Sequence, residues 1–187
     1  MPKLADQTIL YHGSYCEVTQ PELSKCAKYK DFGQGFYLTT SKEQARNFAK
    51  ISTYRAIDTD LIPTERQFGI ISIFHFVHDA SLQIHDFPTS DAEWLHCVVG
   101  HRRKGIFADV IRELQGTDII SGKIANDDTN ATIIAYMTGV FGEMGSESAD
   151  RMCISLLLPD RLKDQFCFRT EKALASLIFE GSEKVWL

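Results

Sequence analysis

Apolar and polar positions follow two periods along the chain, and each period predicts one type of element. Short segments that are rich in β-branched and aromatic residues, or that alternate apolar and polar residues, predict strands. Such segments cover residues 8–11, 36–39, 68–77, 81–87, 117–125 and 165–169. The third of these, Phe-Gly-Ile-Ile-Ser-Ile-Phe-His-Phe-Val, gives the strongest strand prediction.

Helices are predicted where apolar residues recur every three or four positions. These segments cover residues 41–57, 91–103, 107–114, 129–141, 148–158 and 170–179. Capping boxes are predicted at the first two helix starts, from Thr40 with Glu43 and from Ser90 with Glu93. An inward face of mostly small residues is predicted on the first helix, formed by Ala45, Phe48, Ala49, Ser52 and Ala56.

Strands and helices are interspersed without the regular strand–helix–strand repeat of a doubly wound sheet. This order predicts an α+β fold. The chain has 187 residues, 44% of them hydrophobic, and it contains no internal repeat, low-complexity segment or obvious linker. We therefore expect one domain over residues 1–187, with enough apolar residues to bury a core.

A glycine-flanked strand is the most informative local feature. Gly33 and Gly35 precede the apolar segment Phe36-Tyr37-Leu38, and glycine lets the backbone approach a ligand or another chain segment closely. Tyr37 on this strand and Phe48 on the following helix could hold a flat aromatic ligand between two rings. The glycines open a strand, so they are not the dinucleotide fingerprint of Rossmann folds, which opens a helix.

Two motifs lie in order in the first third of the chain. The first is Leu10-Tyr11-His12-Gly13-Ser14, and the second is Phe32-Gly33-Gln34-Gly35-Phe36-Tyr37, followed by a helix with Asn47-Phe48. Together they resemble the ADP-ribosyltransferases of the diphtheria-toxin and poly(ADP-ribose) polymerase type, and the chain is most similar to a bacterial branch of that superfamily. A weaker third match near Gln165 extends the resemblance over most of the chain.

The resemblance implies a split two-sheet core around a central NAD cleft, with NAD as a substrate and no metal. His12 would bond a ribose hydroxyl of NAD, and the backbone of Gly13 would bind the nicotinamide carboxamide, with a further hydrogen bond from Ser14. Gly35 would belong to the NAD site, Tyr37 would stack on the nicotinamide, and Phe48 would face it as a second aromatic ring. The polar segment 15–30 would lie over the mouth of the site.

The third motif departs from the family pattern. The family has a Glu at the start of a late core strand, where it bonds the nicotinamide ribose and stabilises positive charge, whereas this chain has Gln165. Glutamine can bond a hydroxyl but brings no charge. Glu147, Glu171 or the Asp127-Asp128 pair could supply a carboxylate in space, although a solvated or capping role is the more ordinary one for each. The sequence does not choose among them.

These features predict an NAD-dependent mono-ADP-ribosyltransferase that uses His12, Tyr37 and Gln165 as catalytic residues. It would transfer one ADP-ribose to an unknown acceptor, and the resemblance allows a toxin-type effector with a neutralising antitoxin partner. One alternative is an NAD glycohydrolase with water as acceptor. Another is an inactive module that binds NAD, ADP-ribose or a partner protein, and a third is an unrelated α+β domain.

Composition narrows the setting of this activity. The net charge is −5, which argues mildly against a nucleic-acid surface. Five cysteines without a Cys-x-x-Cys motif predict reduced thiols. We expect a cytoplasmic protein without membrane contact, because the N-terminus lacks the apolar core of a signal peptide and no apolar run reaches transmembrane length.

Other candidate groups are weaker. His75 and His78 are three apart on a predicted strand and so point to opposite faces, which argues against a shared metal. Neither His96 nor His101 has a Cys or Asp at ligand spacing. Cys16 lies close to His12 in sequence, but a Cys–His nucleophile is recognised by geometry. The basic run 101–104 is expected to be a solvated helix end.

Overall fold

The computed structural model describes residues 3–124, 127–158 and 162–187, which form an α+β fold with two β-sheets. The strands are β1 (Ile9–Ser14), β2 (Phe36–Leu38), β3 (Phe68–Phe76), β4 (Ile84–Asp86), β5 (Ile119–Lys123), β6 (Asp164–Phe168) and β7 (Leu177–Trp186). The α-helices are α1 (Lys42–Asp58), α2 (Ala92–Arg102), α3 (Ala108–Glu113), α4 (Asp127–Met137), α5 (Glu147–Leu157) and α6 (Glu171–Leu174), and Leu23–Lys25 is a short 3-10 helix. No helix in these ranges is long and apolar enough to cross a bilayer.

The two sheets meet edge to edge. The first has the order β1-β3-β7 and is antiparallel; the second has the order β2-β6-β5-β4, with β4 and β5 parallel. An isolated antiparallel bridge between Tyr11 and Thr39 connects the edge strands β1 and β2. The predicted α+β class is confirmed, and the site residues of the two motifs fall on the strands that meet at this junction.

Helix α1 packs closely on the first sheet because the contact is built from small residues. A Cβ atom on Gly13 of β1 would lie 1.9 Å from the Ala45 carbonyl oxygen. A Cβ atom on Gly69 of β3 would lie 2.5 Å from the Ala49 carbonyl oxygen. Ala45 and Ala49 are buried as predicted, whereas Phe48 in the same predicted row is 36% exposed. Glycine on two neighbouring strands therefore sets the distance between helix and sheet.

Each face of the second sheet is buried in its own core. One face carries Cys167 and packs against Trp94 of α2 and Cys153 of α5. The other carries the rings of Phe166 and Phe168, which belong to the same cluster as Leu10 of β1 and Phe74 of β3 in the first sheet. The second cluster therefore spans both sheets and holds the junction between them together.

The last predicted helix, 170–179, is wrong beyond its first turn. Only Glu171–Leu174 is helical, and the chain then forms β7, which pairs with β3 from Leu177 opposite Phe76 to Trp186 opposite Phe68. Residues along β7 alternate between less and more exposed positions, as expected for a strand with one covered face. Pairing with a long partner strand supplies hydrogen bonds that outweigh the local helical pattern.

Both predicted caps are one residue early. The caps of α1 and α2 are Ser41, which accepts from Gln44 N, and Asp91, which accepts from Trp94 N. Thr40 instead donates its hydroxyl to the buried carboxylate of Asp164, so it is not available to cap. The predicted strand 81–87 is shortened to β4, and α4 begins at Asp127, two residues before the predicted start of that helix. Residue 125, the end of the predicted strand 117–125, lies outside the described residues.

Candidate functional site

The site begins where β1 and β2 part. Tyr11 N–H donates to Thr39 O at 2.8 Å, and Thr39 N–H donates to Tyr11 O at 3.1 Å. In an antiparallel pair, alternate residues direct both backbone groups to the same neighbour. Since Tyr11 turns its groups to β2, Gly13 also directs its N–H and C=O away from β3 and toward Tyr37.

The ladder between β1 and β2 does not continue to Gly13. Among the described residues, no backbone hydrogen bond joins Gly13 to β2, and the imidazole of His12 bonds Tyr37 O instead, with Nδ1 at 2.8 Å. We call the gap between the backbones of Gly13 and Tyr37, bordered by the His12 ring, the β1–β2 opening. All three residues are partly exposed. The opening thus presents a backbone donor and a backbone acceptor side by side.

The protonation state of His12 follows from its contacts. A carbonyl oxygen only accepts, so the Nδ1 bonded to Tyr37 O carries the hydrogen. Burial lowers the pKa of His12 below its ordinary value of 6.5, against the opposing effect of that hydrogen bond. The ring also packs against Phe36, with 4.4 Å between centroids. His12 is therefore neutral near pH 7, and its Nε2 is a hydrogen-bond acceptor suited to a hydroxyl group.

Strand register places three of the predicted residues on one face. Residues paired across strands, and residues two apart on one strand, share a face. The Tyr11–Thr39 bridge therefore puts Gly13 and Tyr37 on the same face, and the Tyr37–Cys167 pair puts Gln165 there too. His12 and Ser14 project to the opposite face of β1. Ser14 is buried, with its Oγ 3.9 Å from Cys16 Sγ.

The Tyr37 side chain holds the glycine segment in place. Its hydroxyl accepts from Phe32 N at 2.9 Å and donates to Gly33 O at 2.8 Å. Burial is the main cause of a raised pKa for Tyr37, which keeps the phenol protonated. The ring lies against the first core cluster rather than free in solvent. Tyr37 thus has a structural role, and its stacking role stays a prediction.

Close packing also explains the two glycines before Tyr37. A Cβ atom on Gly35 would lie 2.5 Å from Cys167 Sγ, and one on Gly33 would lie 2.6 Å from the His101 ring. Gly33 also has a φ of +80°, a conformation that favours glycine. Of the two expectations for these glycines, the structure supplies the approach to another chain segment.

Phe48 lies between two anchored neighbours on α1. Gln44, one turn earlier, donates from Nε2 to Asp164 O at 3.2 Å, and Ser52, one turn later, accepts from Tyr15 N at 3.2 Å. Residues four apart on a helix lie in one row. The partly exposed Phe48 ring therefore lies between the start of β6 and the end of β1. This is the region around the β1–β2 opening.

Gln165 is buried on the second sheet and firmly bound. It is 4% exposed, and its Nε2 donates to Asp31 Oδ2 at 2.9 Å and to Lys123 O at 3.2 Å. Within the described residues, no hydrogen bond joins Gln165 to His12 or Tyr37. The structure therefore brings Gln165 to the same face as Gly13 and Tyr37, but its immediate partner is the carboxylate of Asp31.

Asp31 is a residue that sequence reasoning missed as a site member. It is 6% exposed, and Arg102 donates to its Oδ1 from Nε at 2.9 Å and from Nη2 at 2.6 Å. The prediction that the run 101–104 is a solvated helix end is therefore wrong for Arg102, and His101 packs on Gly33. The available signal was an acidic residue just before the glycine segment.

Neither Glu147 nor Glu171, two of the carboxylates considered in place of the Glu that the resemblance implies, is a hydrogen-bond partner of Gln165 among the described residues. Glu147 is exposed on α5 and pairs with Arg151, and Glu171 is exposed at the start of α6. The side chains of Asp127 and Asp128 lie outside the described residues. Asp31 is thus the carboxylate that the described structure places against this position.

Other polar groups have partners of their own. His96 Nε2 lies 2.7 Å from Asp150 Oδ2, a residue 54 positions later in the chain that sequence spacing does not indicate. His75 pairs with Glu180. In the part of the chain that the structure describes, no group of three or more His, Cys, Asp or Glu side chains could hold a metal ion. Of two surface depressions, the one on α5 is lined by Glu147 but by no residue of the two motifs, and the one beside the start of β3 is lined by none of the predicted site residues.

Comparison with known proteins identifies a family whose description names no activity. A family model described as a protein of unknown function (DUF3990) matches residues 8–179, which include both motifs and Gln165. No curated protein matches the chain significantly.

Proposed function

The chain belongs to the DUF3990 family of proteins of unknown function, and we propose that it is an NAD-dependent mono-ADP-ribosyltransferase. In this reaction the bond between C1 of the ribose and the nicotinamide nitrogen breaks, and its electron pair stays with nicotinamide. A nucleophile of the acceptor then bonds to C1 and loses its proton. Nicotinamide is a good leaving group, so the protein's task is mainly to hold NAD in a reactive geometry.

The β1–β2 opening is the observation that carries this proposal. A carboxamide has one donor and one acceptor side by side, and the backbone of Gly13 turns one acceptor and one donor to the same side of β1. The neutral His12 ring borders the same gap with Nε2 as an acceptor for a ribose hydroxyl. This set of groups matches the nicotinamide carboxamide and one ribose hydroxyl of NAD.

The remaining residues would complete the site around that part of the substrate. Tyr37 and Phe48 would supply aromatic surface to the nicotinamide ring. Gln165 lies on the same face as Gly13 and Tyr37, and its Oε1 would accept a hydrogen bond from a ribose hydroxyl. An amide brings no charge to an oxocarbenium-like transition state, which favours slow transfer of a single ADP-ribose over polymer synthesis.

The test is nicotinamide release from NAD by the purified protein, with and without cell lysate. The informative variant is His12→Asn, because an asparagine amide can still donate to Tyr37 O but has no atom at the position of Nε2. We expect this variant to keep the wild-type unfolding midpoint and to lose about tenfold in kcat/KM. His75→Asn, a change at the Glu180 pair on another part of the sheet, is the matched control.

Each result assigns the reaction. Release that needs lysate, with label from NAD appearing on a lysate component, supports the transferase. Release at the same rate without lysate replaces it with an NAD glycohydrolase, in which water is the acceptor. Equal loss of activity in His12→Asn and His75→Asn would contradict the placement of the site at the β1–β2 opening.

A second candidate is a binding module without turnover. The observation that favours it is the burial of Gln165, which has no charge and whose Nε2 is engaged by Asp31 and Lys123. NAD or ADP-ribose binding measured by calorimetry, without nicotinamide release, would support this candidate over the transferase. Neither binding nor release would remove both.

A further inference from the structure

We propose that Asp31 is the positioning residue of Gln165 and that the chain requires an amide, not a carboxylate, at position 165. The structural part of this inference stands on the contacts of the two side chains. The part that concerns NAD rests on the proposed function.

The two hydrogen-bond partners of the Gln165 amide nitrogen in the described residues are both acceptors. Its Nε2 faces Asp31 Oδ2 at 2.9 Å and Lys123 O at 3.2 Å, and a carboxylate and a carbonyl oxygen are both acceptors. The two hydrogens of the amide nitrogen match these two oxygens. A glutamate in the same position would turn an oxygen toward both, and one of them carries negative charge. The two neighbouring oxygens therefore favour glutamine at position 165 over the glutamate that the resemblance implies.

Asp31 is itself held in one orientation. Arg102 donates twice to Oδ1, from Nε and Nη2, and its Nη1 donates to Asn130 Oδ1 of α4 at 3.1 Å. With Oδ1 bound to the guanidinium, Oδ2 is left facing Gln165. The ion pair also compensates the charge of a carboxylate that is 6% exposed. Asp31 thus connects Arg102 of α2 to Gln165 of β6 through hydrogen bonds.

This arrangement fixes which atom Gln165 presents. Since Nε2 is bound on two sides, the amide cannot flip, and Oε1 is the atom left to meet a substrate hydroxyl. A carboxylate bonded to the N–H side of an amide polarises it and makes the carbonyl oxygen a better acceptor. Gln165 would then play the acceptor part of a glutamate, while the negative charge stays one hydrogen bond away on Asp31.

The test is a double-mutant cycle with Asp31→Asn, Gln165→Glu and the combined D31N/Q165E protein. Each single change creates a mismatch: an asparagine at 31 cannot accept from both Arg102 and Gln165, and a glutamate at 165 faces Asp31. In the combined protein the asparagine amide can donate to the glutamate while its oxygen accepts from Arg102, and the mismatch with Lys123 O remains. We expect both single variants to unfold at lower urea concentration and the double variant to recover part of that loss, so that the two effects are less than additive.

Kinetics separate positioning from a merely structural role. We expect kcat for nicotinamide release to fall ten- to a hundredfold in each single variant, about the effect of a small misplacement of a reacting group, with a smaller change in KM. The double variant should regain kcat. Asp150→Asn, which disrupts another buried carboxylate bonded to His96, is the control that loses stability without this loss of kcat.

The outcomes divide cleanly. Additive unfolding effects in the double variant, or single variants with wild-type midpoints, overturn the inference. Recovery of the midpoint without recovery of kcat overturns the positioning role. If the wild-type protein neither releases nicotinamide nor binds NAD, the proposed function fails, and the unfolding cycle still decides whether Asp31 selects an amide at position 165.

Discussion

Gly13 combines two requirements at one residue. Its missing side chain lets β1 approach α1, and its backbone groups turn toward the β1–β2 opening. The first requirement concerns stability and the second concerns binding. A change at Gly13 that abolishes activity therefore does not by itself identify a binding role, which is why the functional test uses His12.

Gly13→Ala should be strongly destabilising. The new Cβ would lie 1.9 Å from Ala45 O and 2.7 Å from Ala49 N, both backbone atoms that cannot rotate away. Helix α1 would have to shift from the first sheet, at a cost of at least about 2 kcal/mol in the free energy of unfolding. Urea unfolding followed by circular dichroism measures it.

Gly116→Ala is the matched control for that change. Gly116 is exposed, and no atom lies within 4 Å of the Cβ that alanine would add. Its free energy of unfolding should stay within about 0.5 kcal/mol of the wild-type value. Equal effects of the two substitutions would show that close packing of β1 on α1 is not what Gly13 provides.

At the scale of elements, the sequence predicts the strands and helices whose hydrophobic pattern is local. The apolar run of β3 and the alanines of α1 determine a strand and a small-residue helix face without reference to the rest of the chain. Strand β7 was missed beyond Leu177 because its order comes from pairing with β3, about a hundred residues earlier in the chain. The cap of α1 is displaced by one residue because Asp164 engages Thr40.

The same distinction separates the predicted and the missed parts of the site. His12, Gly13 and Tyr37 could be chosen as candidates because each lies in a short motif. The contact between Asp31 and Gln165 joins residues 134 positions apart, and the bond from Arg102 to Asp31 spans 71. No local pattern contains either pair, so a partly buried arginine in an ion pair was mistaken for a solvated helix end.

Ala49→Leu tests the small-residue face of α1 as an element. Ala49 is fully buried, and its backbone lies directly under Gly13 and Gly69 of the two strands that α1 covers. A leucine there would force the helix away from both strands, at a cost of about 1–3 kcal/mol in the free energy of unfolding. Ala131→Leu on the exposed side of α4 is the control and should be nearly neutral. Similar losses in both would contradict this packing.

For the molecule as a whole, two partly buried neutral histidines connect stability to pH. Burial lowers the pKa of His12 and of His101 below the ordinary value of 6.5. His12 Nδ1 bonds Tyr37 O at the junction of the sheets, and His101 Nδ1 bonds Cys97 O at 2.9 Å under the glycine segment. Both rings thus lie at the border of the proposed site, where protonation would disturb the fold and the site together.

Acid should therefore destabilise the protein before its carboxylates titrate. Below pH 6.5 both histidines become protonated in the unfolded chain but not yet in the folded chain, because their folded-state pKa values are lowered. The unfolded state therefore binds more protons, and the free energy of unfolding decreases as the pH decreases. The fall continues until the lowered folded-state pKa values are reached, with a slope of at most about 1.4 kcal/mol per pH unit for each histidine. Urea unfolding at a series of pH values between about 7.5 and 5 measures this slope.

The variant His12→Asn should lose the contribution of His12 to this slope and keep that of His101, because asparagine does not titrate and still donates to Tyr37 O. An unchanged slope in that variant would show that His12 is not held neutral in the folded protein.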